Sequence, residues 1–224
     1  MCGRYSLLCT DDLGNRFRVY DPSLGRRSRF NVAPSQTMPV IVRRERAELV
    51  PMAWGLVSQW AKDPGAVRRP INARAETLAE QPMFRGPLGD NRCLVPASGF
   101  YEWRRDSRGR KTPYYFRLKD ANLFAFAGLY DVRRDAGGAP LATYAIITTA
   151  ANGTVAPIHD RMPVILRRED EERWLGGGPL PPETVRSVLG PYPADAMEAH
   201  PVSSQVNSPA SDDPFLIAPL EEEA

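Results

Sequence analysis

The stretch Arg92-Cys93-Leu94-Val95-Pro96-Ala97-Ser98-Gly99-Phe100-Tyr101-Glu102-Trp103-Arg104 decides the fold. Its first half, Arg92–Ala97, is an apolar strand, and Gly99–Arg104 continues as extended chain. A turn with a charged flank follows at Asp106–Gly109. Beyond it, Tyr114–Leu118 and Leu123–Tyr130 read as strands paired about a turn at Lys119–Asn122. Working outward, Leu141–Thr149 is strongly β-forming, and Val164-Ile165-Leu166 is a short strand. Upstream, Cys2–Leu8, Met38–Val42 and Leu49–Leu56 read as strands, the last with Gly55 near its end. Helical patterns are short. One is capped by Thr10 or Asp11 and runs through Leu13 and Phe17; another covers Ala75–Ala79. Arg168–Leu175 starts acidic, and Pro181–Leu189 starts at proline. Many short strands and few helices indicate an α+β protein with a β-dominated core. No Gly-rich phosphate loop and no alternating βαβ pattern is present, which disfavours a nucleotide-binding sheet.

A chain of 224 residues, 42% apolar and 25% charged, has the composition of one ordinary globular domain. No run approaches the ~20 apolar residues of a membrane span, and the apolar N-terminal piece is too short for a signal-peptide core. The expectation is therefore an intracellular protein without membrane attachment. Cys2, Cys9 and Cys93 are odd in number and lack CxxC spacing, which argues against a disulfide framework and a structural zinc site. With only His159 and His200 as imidazoles, neither a metal nor a cofactor is expected. The net charge of +2 hides an asymmetry: residues 1–119 carry 22 basic and 11 acidic side chains, residues 120–224 carry 7 and 16. Arginine supplies 26 of the 29 basic residues. Guanidinium suits bidentate phosphate contacts and base stacking, so the basic half suggests a polyanion. Arginine-favouring codon composition explains the same bias without one.

Four places combine reactive side chains with turns or loop ends. Cys2 follows the initiator methionine, and a small residue there favours methionine removal. It would then carry an α-amine, with a reference pKa of about 7.7–8.0, beside an intrinsically nucleophilic thiol. Such a pair can attack an amide carbonyl or condense with an aldehyde to a thiazolidine; the plain alternative is the start of a strand. Asn72 precedes a helical pattern, where a cap is the ordinary role. Its amide could also orient a reacting centre. Glu102 lies among Phe100, Tyr101 and Trp103, and an apolar setting favours the neutral carboxyl and proton transfer near neutrality. An exposed strand residue is the alternative. His159 sits between Pro157 and Pro163, beside Asp160 and Arg161, which could tune its imidazole.

Together these places resemble the SOS-response-associated peptidase (SRAP) family. The resemblance is carried, in order, by Met1-Cys2-Gly3-Arg4-Tyr5, Asn31-Val32-Ala33-Pro34 with Gln36 and Pro39-Val40, and Trp54-Gly55-Leu56 with Trp60. It continues through Asn72-Ala73-Arg74-Ala75-Glu76-Thr77, Arg92–Pro96, Gly99–Trp103, Phe126–Tyr130, Thr148–Ala151 and Ile158-His159-Asp160-Arg161-Met162-Pro163. The tail Val202-Ser203-Ser204, Val206-Asn207 and Asp213-Pro214 is similar to the family's ending. The resemblance implies one domain over residues 1–220, with a barrel-like, mostly antiparallel core, a few short flanking helices and an acidic tail at 221–224. It implies a sensor of abasic sites in single-stranded DNA near replication forks. Cys2, freed of Met1 by an autopeptidase-like step, would form a covalent thiazolidine cross-link. A lyase-type activity is possible in the same site, within a cytoplasmic monomer associated with the nucleoid during DNA damage. Glu102 would assist sugar ring opening, His159 would move protons at the sugar hydroxyl, and Asn72 would position the site.

For DNA binding, Arg4, Arg74 and Arg161 flank the reactive residues and are expected on phosphates. Trp54, Trp60 and Trp103 are candidates for base stacking, with core packing as the alternative for each. Pro39 is assigned to a wedge that keeps a second strand away. Cys9 and Cys93 read as buried small hydrophobes, and His200 and Glu221-Glu222-Glu223 as solvated surface. The competing reading is a cysteine peptidase acting on other proteins, with Cys2 as nucleophile and His159 as base. Passive single-strand binding is a third, disfavoured because it needs neither the thiol nor Glu102.

Overall fold

The computed structural model describes residues 2–8, 13–19, 27–60, 69–134 and 137–220. Within them, strands β1 (Tyr5–Leu7), β2 (Arg29–Val32), β3 (Thr37–Arg43), β4 (Ala47–Trp54), β5 (Asn72–Arg74) and β6 (Arg92–Ala97) come first. They are followed by β7 (Gly99–Arg105), β8 (Lys111–Leu118), β9 (Phe124–Arg134), β10 (Pro140–Ala150), β11 (Arg161–Pro163) and β12 (Met197–Pro201). Helices α1 (Leu13–Phe17), α2 (Pro82–Asp90), α3 (Arg168–Leu175) and α4 (Pro182–Val188) lie between them. No helix among the described residues is long and apolar enough to cross a membrane.

Five strands close on themselves in the order β10-β4-β3-β6-β9, because β10 pairs with β4 on one side and β9 on the other. Closure leaves these strands no free edge. The barrel is mixed: β10 runs parallel to β4 and β5, while β3–β4, β3–β6, β6–β9 and β9–β10 are antiparallel. A second sheet, β12-β8-β7-β1-β2, packs against it. The α+β class with a barrel-like, mostly antiparallel core is thus observed. Tyr5, Trp54, Phe100, Phe126 and Tyr144 are all at most 1% exposed and fill the space between the sheets. The Tyr5 and Tyr144 hydroxyls meet at 2.8 Å, satisfying two polar atoms that burial would otherwise orphan. Gly99 is required by close approach: a Cβ there would lie 2.3 Å from the Tyr115 ring.

Several sequence expectations need correction. Tyr114–Leu118 and Leu123–Tyr130 do not pair; β8 pairs β7 and β12, and β9 pairs β6 and β10, in different sheets. The break at Ser98 sends β6 into the barrel and β7 into the second sheet, and Lys119–Asn122 crosses back. Ala75–Ala79 is not a helix but a 3-10 turn over Ala75–Thr77, because β5 is held in line by β10 up to Arg74. The short strand near Val164 is shifted: β11 is Arg161–Pro163, and Ile165 makes only a bridge to Phe126. Helix α2, with Pro82 in its first turn and Pro87 inside, lay unread. The α1 caps Thr10 and Asp11, Cys9, and Glu221–Glu223 lie outside the described residues.

Candidate functional site

Cys2 is fully buried, three residues ahead of β1. Its Sγ donates to the Arg4 carbonyl at 3.6 Å, and the same carbonyl accepts the Tyr101 amide at 3.0 Å. The N-terminal residues are thereby stitched to β7, the strand that carries Glu102. Burial, and next the negative charge of Glu102, push the Cys2 thiol far above its ordinary value. From the barrel side, β5 presents Asn72, whose Nδ2 donates to the Cys2 carbonyl at 2.8 Å. That bond fixes the amide orientation, since only nitrogen can donate to a carbonyl. It leaves Oδ1 buried and without a hydrogen-bond partner among the described residues. A buried orphan acceptor costs stability, and here it is an acceptor beside the residue-2 backbone.

Glu102 is 2% exposed. Burial, with a smaller repulsion from Asp160, pushes its carboxyl up to about 7. His159 faces it, with Nε2 3.9 Å from Glu102 Oε2. The imidazole sits on a tightly bonded loop: Asn152 Oδ1 accepts from the Thr154 and Val155 amides, and the His159 amide donates to the Val155 carbonyl. Two contacts compete for Nδ1, the Arg161 amide at 3.0 Å and an Asp160 carboxylate oxygen at 3.0 Å. The Arg161 amide can only donate, so Nδ1 is the bare acceptor nitrogen of a neutral ring. Burial also lowers the His159 pKa, which favours that neutral form. The Asp160 charge opposes that lowering but is outweighed by burial. The tautomer with hydrogen on Nε2 follows, directed at Glu102 and the space between them. Both groups open onto a cleft of about 490 Å³.

The same cleft is lined by Trp103, Arg104, Arg105 and Lys111, the last three exposed cations of the β7–β8 hairpin. The sequence analysis does not single out these three as cleft-lining residues. Their signal was the basic run flanking Glu102-Trp103, which was read only as the flank of a turn.

Comparison with known proteins identifies the family of the chain. The family model for SOS response associated peptidase (SRAP) matches residues 1–209. The chain belongs to the SRAP family. It is similar to the abasic site processing protein YoqW of Bacillus subtilis (strain 168), 46% identical over 227 residues that cover 97% of this chain and 99% of that one. The abasic site processing protein HMCES of Gallus gallus is 31% identical, over 99% of this chain and 78% of that protein. A crystal structure of a protein from Bacteroides thetaiotaomicron superposes with a TM-score of 0.89 at 30% identity, covering 98% of this chain and 100% of that one.

Within this SRAP fold the expected DNA contacts divide. Trp60 is 63% exposed and Trp103 lines the cleft, its Nε1 donating to Asn207 Oδ1 at 2.7 Å. Arg74 is exposed at the end of β5, and Pro39 is half-buried on β3 opposite Pro51. Trp54 is corrected: it is 1% exposed, stacked at 6.3 Å on Tyr144, with Nε1 bonded to the Ile71 carbonyl, so no base reaches it. Arg4 spends part of its guanidinium on its own chain, donating to Asn31 Oδ1 and to the Val206 and Asn207 carbonyls. Arg161 is likewise engaged, bidentate on Glu76 at 2.7 and 2.9 Å and bonded to the Thr148 carbonyl. His200 is not a solvated surface residue; it is partly buried, with Nε2 2.8 Å from the Ile217 carbonyl. Cys93 is fully buried and its thiol is pushed up by burial.

Proposed function

We propose that this protein captures abasic sites in single-stranded DNA by covalent bonding to Cys2 after Met1 is removed. The observation that carries the reading is the grip on Cys2: Asn72 holds its carbonyl, and its thiol shares the Arg4 carbonyl with the Tyr101 amide of the strand that carries Glu102. An opened abasic deoxyribose presents an aldehyde. The neutral α-amine of Cys2 adds to it to give a carbinolamine, which loses water to an imine. Sγ then bonds to the former aldehyde carbon while the thiol proton passes to nitrogen, closing a five-membered thiazolidine. One water is released overall. Ring opening of the sugar moves a proton from the anomeric hydroxyl and one to the ring oxygen. A carboxyl held near pH 7 exists in both forms and serves either step. Nε2–H of His159 supplies a hydrogen bond to a sugar oxygen, and the Asn72 Oδ1 acceptor orients the amine. Arg74, Arg104, Arg105 and Lys111 hold phosphates, Trp60 and Trp103 stack on bases, and Pro39 belongs to a wedge against a second strand.

A cysteine peptidase acting on other proteins would need a thiolate stabilised by an imidazolium. Here the bond made by Cys2 Sγ goes to the Arg4 carbonyl, and the neighbouring carboxylate opposes ionisation. The test incubates the purified protein with a single-stranded oligonucleotide carrying one abasic site, followed by a denaturing gel and intact-mass measurement. The expected adduct is heat-resistant, involves protein lacking Met1, and has the summed mass less one water. Cys2→Ala abolishes it, and Cys2→Ser gives only an imine trapped by borohydride. Wild-type protein lacking Met1 that forms no adduct would overturn the proposal.

A further inference from the structure

The C-terminal segment makes a bond pattern that the chemistry above does not use. It is tied down from β2: Asn31 Nδ2 donates to the carbonyls of Ser208 at 2.9 Å and Ser211 at 2.8 Å. Asp212 accepts from the Phe30 and Asn31 amides and from Arg29 Nε. This anchored segment places one residue, Asn207, between the two strands of the candidate site. Its backbone carbonyl accepts from Arg4 Nη2 at 3.0 Å, and its side-chain Oδ1 accepts from Trp103 Nε1 at 2.7 Å. Arg4 stands two residues from Cys2, and its own carbonyl takes both the Cys2 thiol and the Tyr101 amide. Trp103 is bonded in chain to Glu102 and forms a wall of the cleft.

We propose that Asn207 is a positioning residue that fixes the Trp103 wall and the Cys2–Arg4 segment relative to one another. The inference rests on the abasic-capture reading for its kinetic consequence, though not for its structural one. Indole Nε1–H has one donor direction, so an acceptor held rigidly at 2.7 Å sets the ring plane. The backbone that carries the acceptor is anchored because Asn31 and Asp212 hold its segment independently of any ligand. Without the Oδ1 acceptor, Trp103 is free to rotate about its side-chain bonds, and the cleft loses a fixed wall beside the carboxyl. The effect belongs to the step in which the sugar must be aligned with Cys2, Glu102 and His159, where small misplacement is costly.

The experiment measures single-turnover adduct formation against abasic-oligonucleotide concentration. Wild type is compared with Asn207→Leu, Asn207→Asp, Trp103→Phe and the double variant Asn207→Leu/Trp103→Phe. Asn207→Leu is expected to lower the saturating rate about tenfold, the size of one lost hydrogen bond. Its melting temperature should stay near that of wild type. Asn207→Asp retains an acceptor and recovers most of the rate, and the double variant is no slower than Trp103→Phe alone. Amide hydrogen exchange supplies a readout that needs no DNA: Tyr101–Trp103 should exchange faster in Asn207→Leu, while Arg4–Ser6, still held by the Asn207 backbone carbonyl, should not. A wild type that forms no adduct defeats the capture reading and leaves the exchange result to decide this one. Unchanged exchange and an unchanged rate in Asn207→Leu, or additive effects in the double variant, would overturn the inference. Should Asn207→Leu fail to fold, the Trp103→Phe rate and exchange decide it.

Discussion

Replacing Glu102 by glutamine should stabilise the folded protein at alkaline pH while slowing adduct formation. Burial raises the carboxyl from its ordinary 4.5 to about 7. That is a roughly 300-fold rise in proton affinity, or ~3 kcal/mol. The sign follows from proton counts. Between pH 4.5 and 7 the folded chain holds this proton and the unfolded chain has released it. Stability therefore falls as pH rises through that window, and the full loss is reached above the folded value. Glutamine has nearly the same shape and no charge to desolvate. Glu102→Gln should thus differ from wild type by under ~1 kcal/mol at pH 5 and be more stable by ~3 kcal/mol at pH 8. For a chain of this size the second figure is roughly 6–12 °C in melting temperature. Urea denaturation of both proteins at pH 5, 6.5 and 8 measures the difference. A difference that does not grow with pH refutes the reasoning, because it would mean that the carboxyl is not held neutral by burial. Adduct formation by the same variant should be slow at every pH, having lost its proton carrier.

Trp54→Ala should cost about 3–5 kcal/mol of stability, as a buried aromatic does. Trp60→Ala should leave stability within ~0.5 kcal/mol but weaken single-strand binding; the two are separated by pairing denaturation with fluorescence-anisotropy titration. Arg104→Gln, Arg105→Gln and Lys111→Gln should each lower the slope of log affinity against log salt by about 0.7 if each side chain meets one phosphate. An unchanged slope in all three removes the hairpin from the DNA path. Asn72→Leu removes the donor on the Cys2 carbonyl and should slow adduct formation about tenfold with DNA affinity unchanged, read by single-turnover kinetics beside anisotropy.

What could be read from the sequence was what short-range order determines. Arg168–Leu175 was legible because its acidic first turn and buried Trp174 and Leu175 lie within eight residues. The β10 segment was legible from its own β-branched and aromatic composition. The strand partners were not, since a tight turn at Lys119–Asn122 suggests a hairpin whichever sheet each strand joins. The internal partners of Arg4 and Arg161 were hidden for the same reason. They lie 27 to 203 and 13 to 85 residues away, and a guanidinium beside a reactive residue looks alike in sequence whether it meets phosphate or its own chain. Cys2, Asn72, Glu102 and His159 were singled out by unusual neighbours, but which of them touch depends on β5 joining β10 and β7 joining β1.

The placement of Glu102 also bears on which reaction the site suits. A chain selected only for stability would not keep a carboxyl at 2% exposure where ionisation costs ~3 kcal/mol. Nor would it leave Asn72 Oδ1 buried without a partner among the described residues. Both costs fall around Cys2, and both favour neutral groups: a protonated thiol, a carboxyl balanced between its two forms, and a neutral imidazole with hydrogen on Nε2. Proteolysis by cysteine begins from a thiolate and gains from a cationic neighbour, which this pocket disfavours. Aldehyde capture begins from a neutral amine and consumes the thiol only after the imine has formed. The proton then released can go to the new ring nitrogen, so a high thiol pKa delays no earlier step. Under that chemistry the buried carboxyl governs sugar opening and imine formation, and adduct formation should follow its titration near pH 7 rather than that of the thiol.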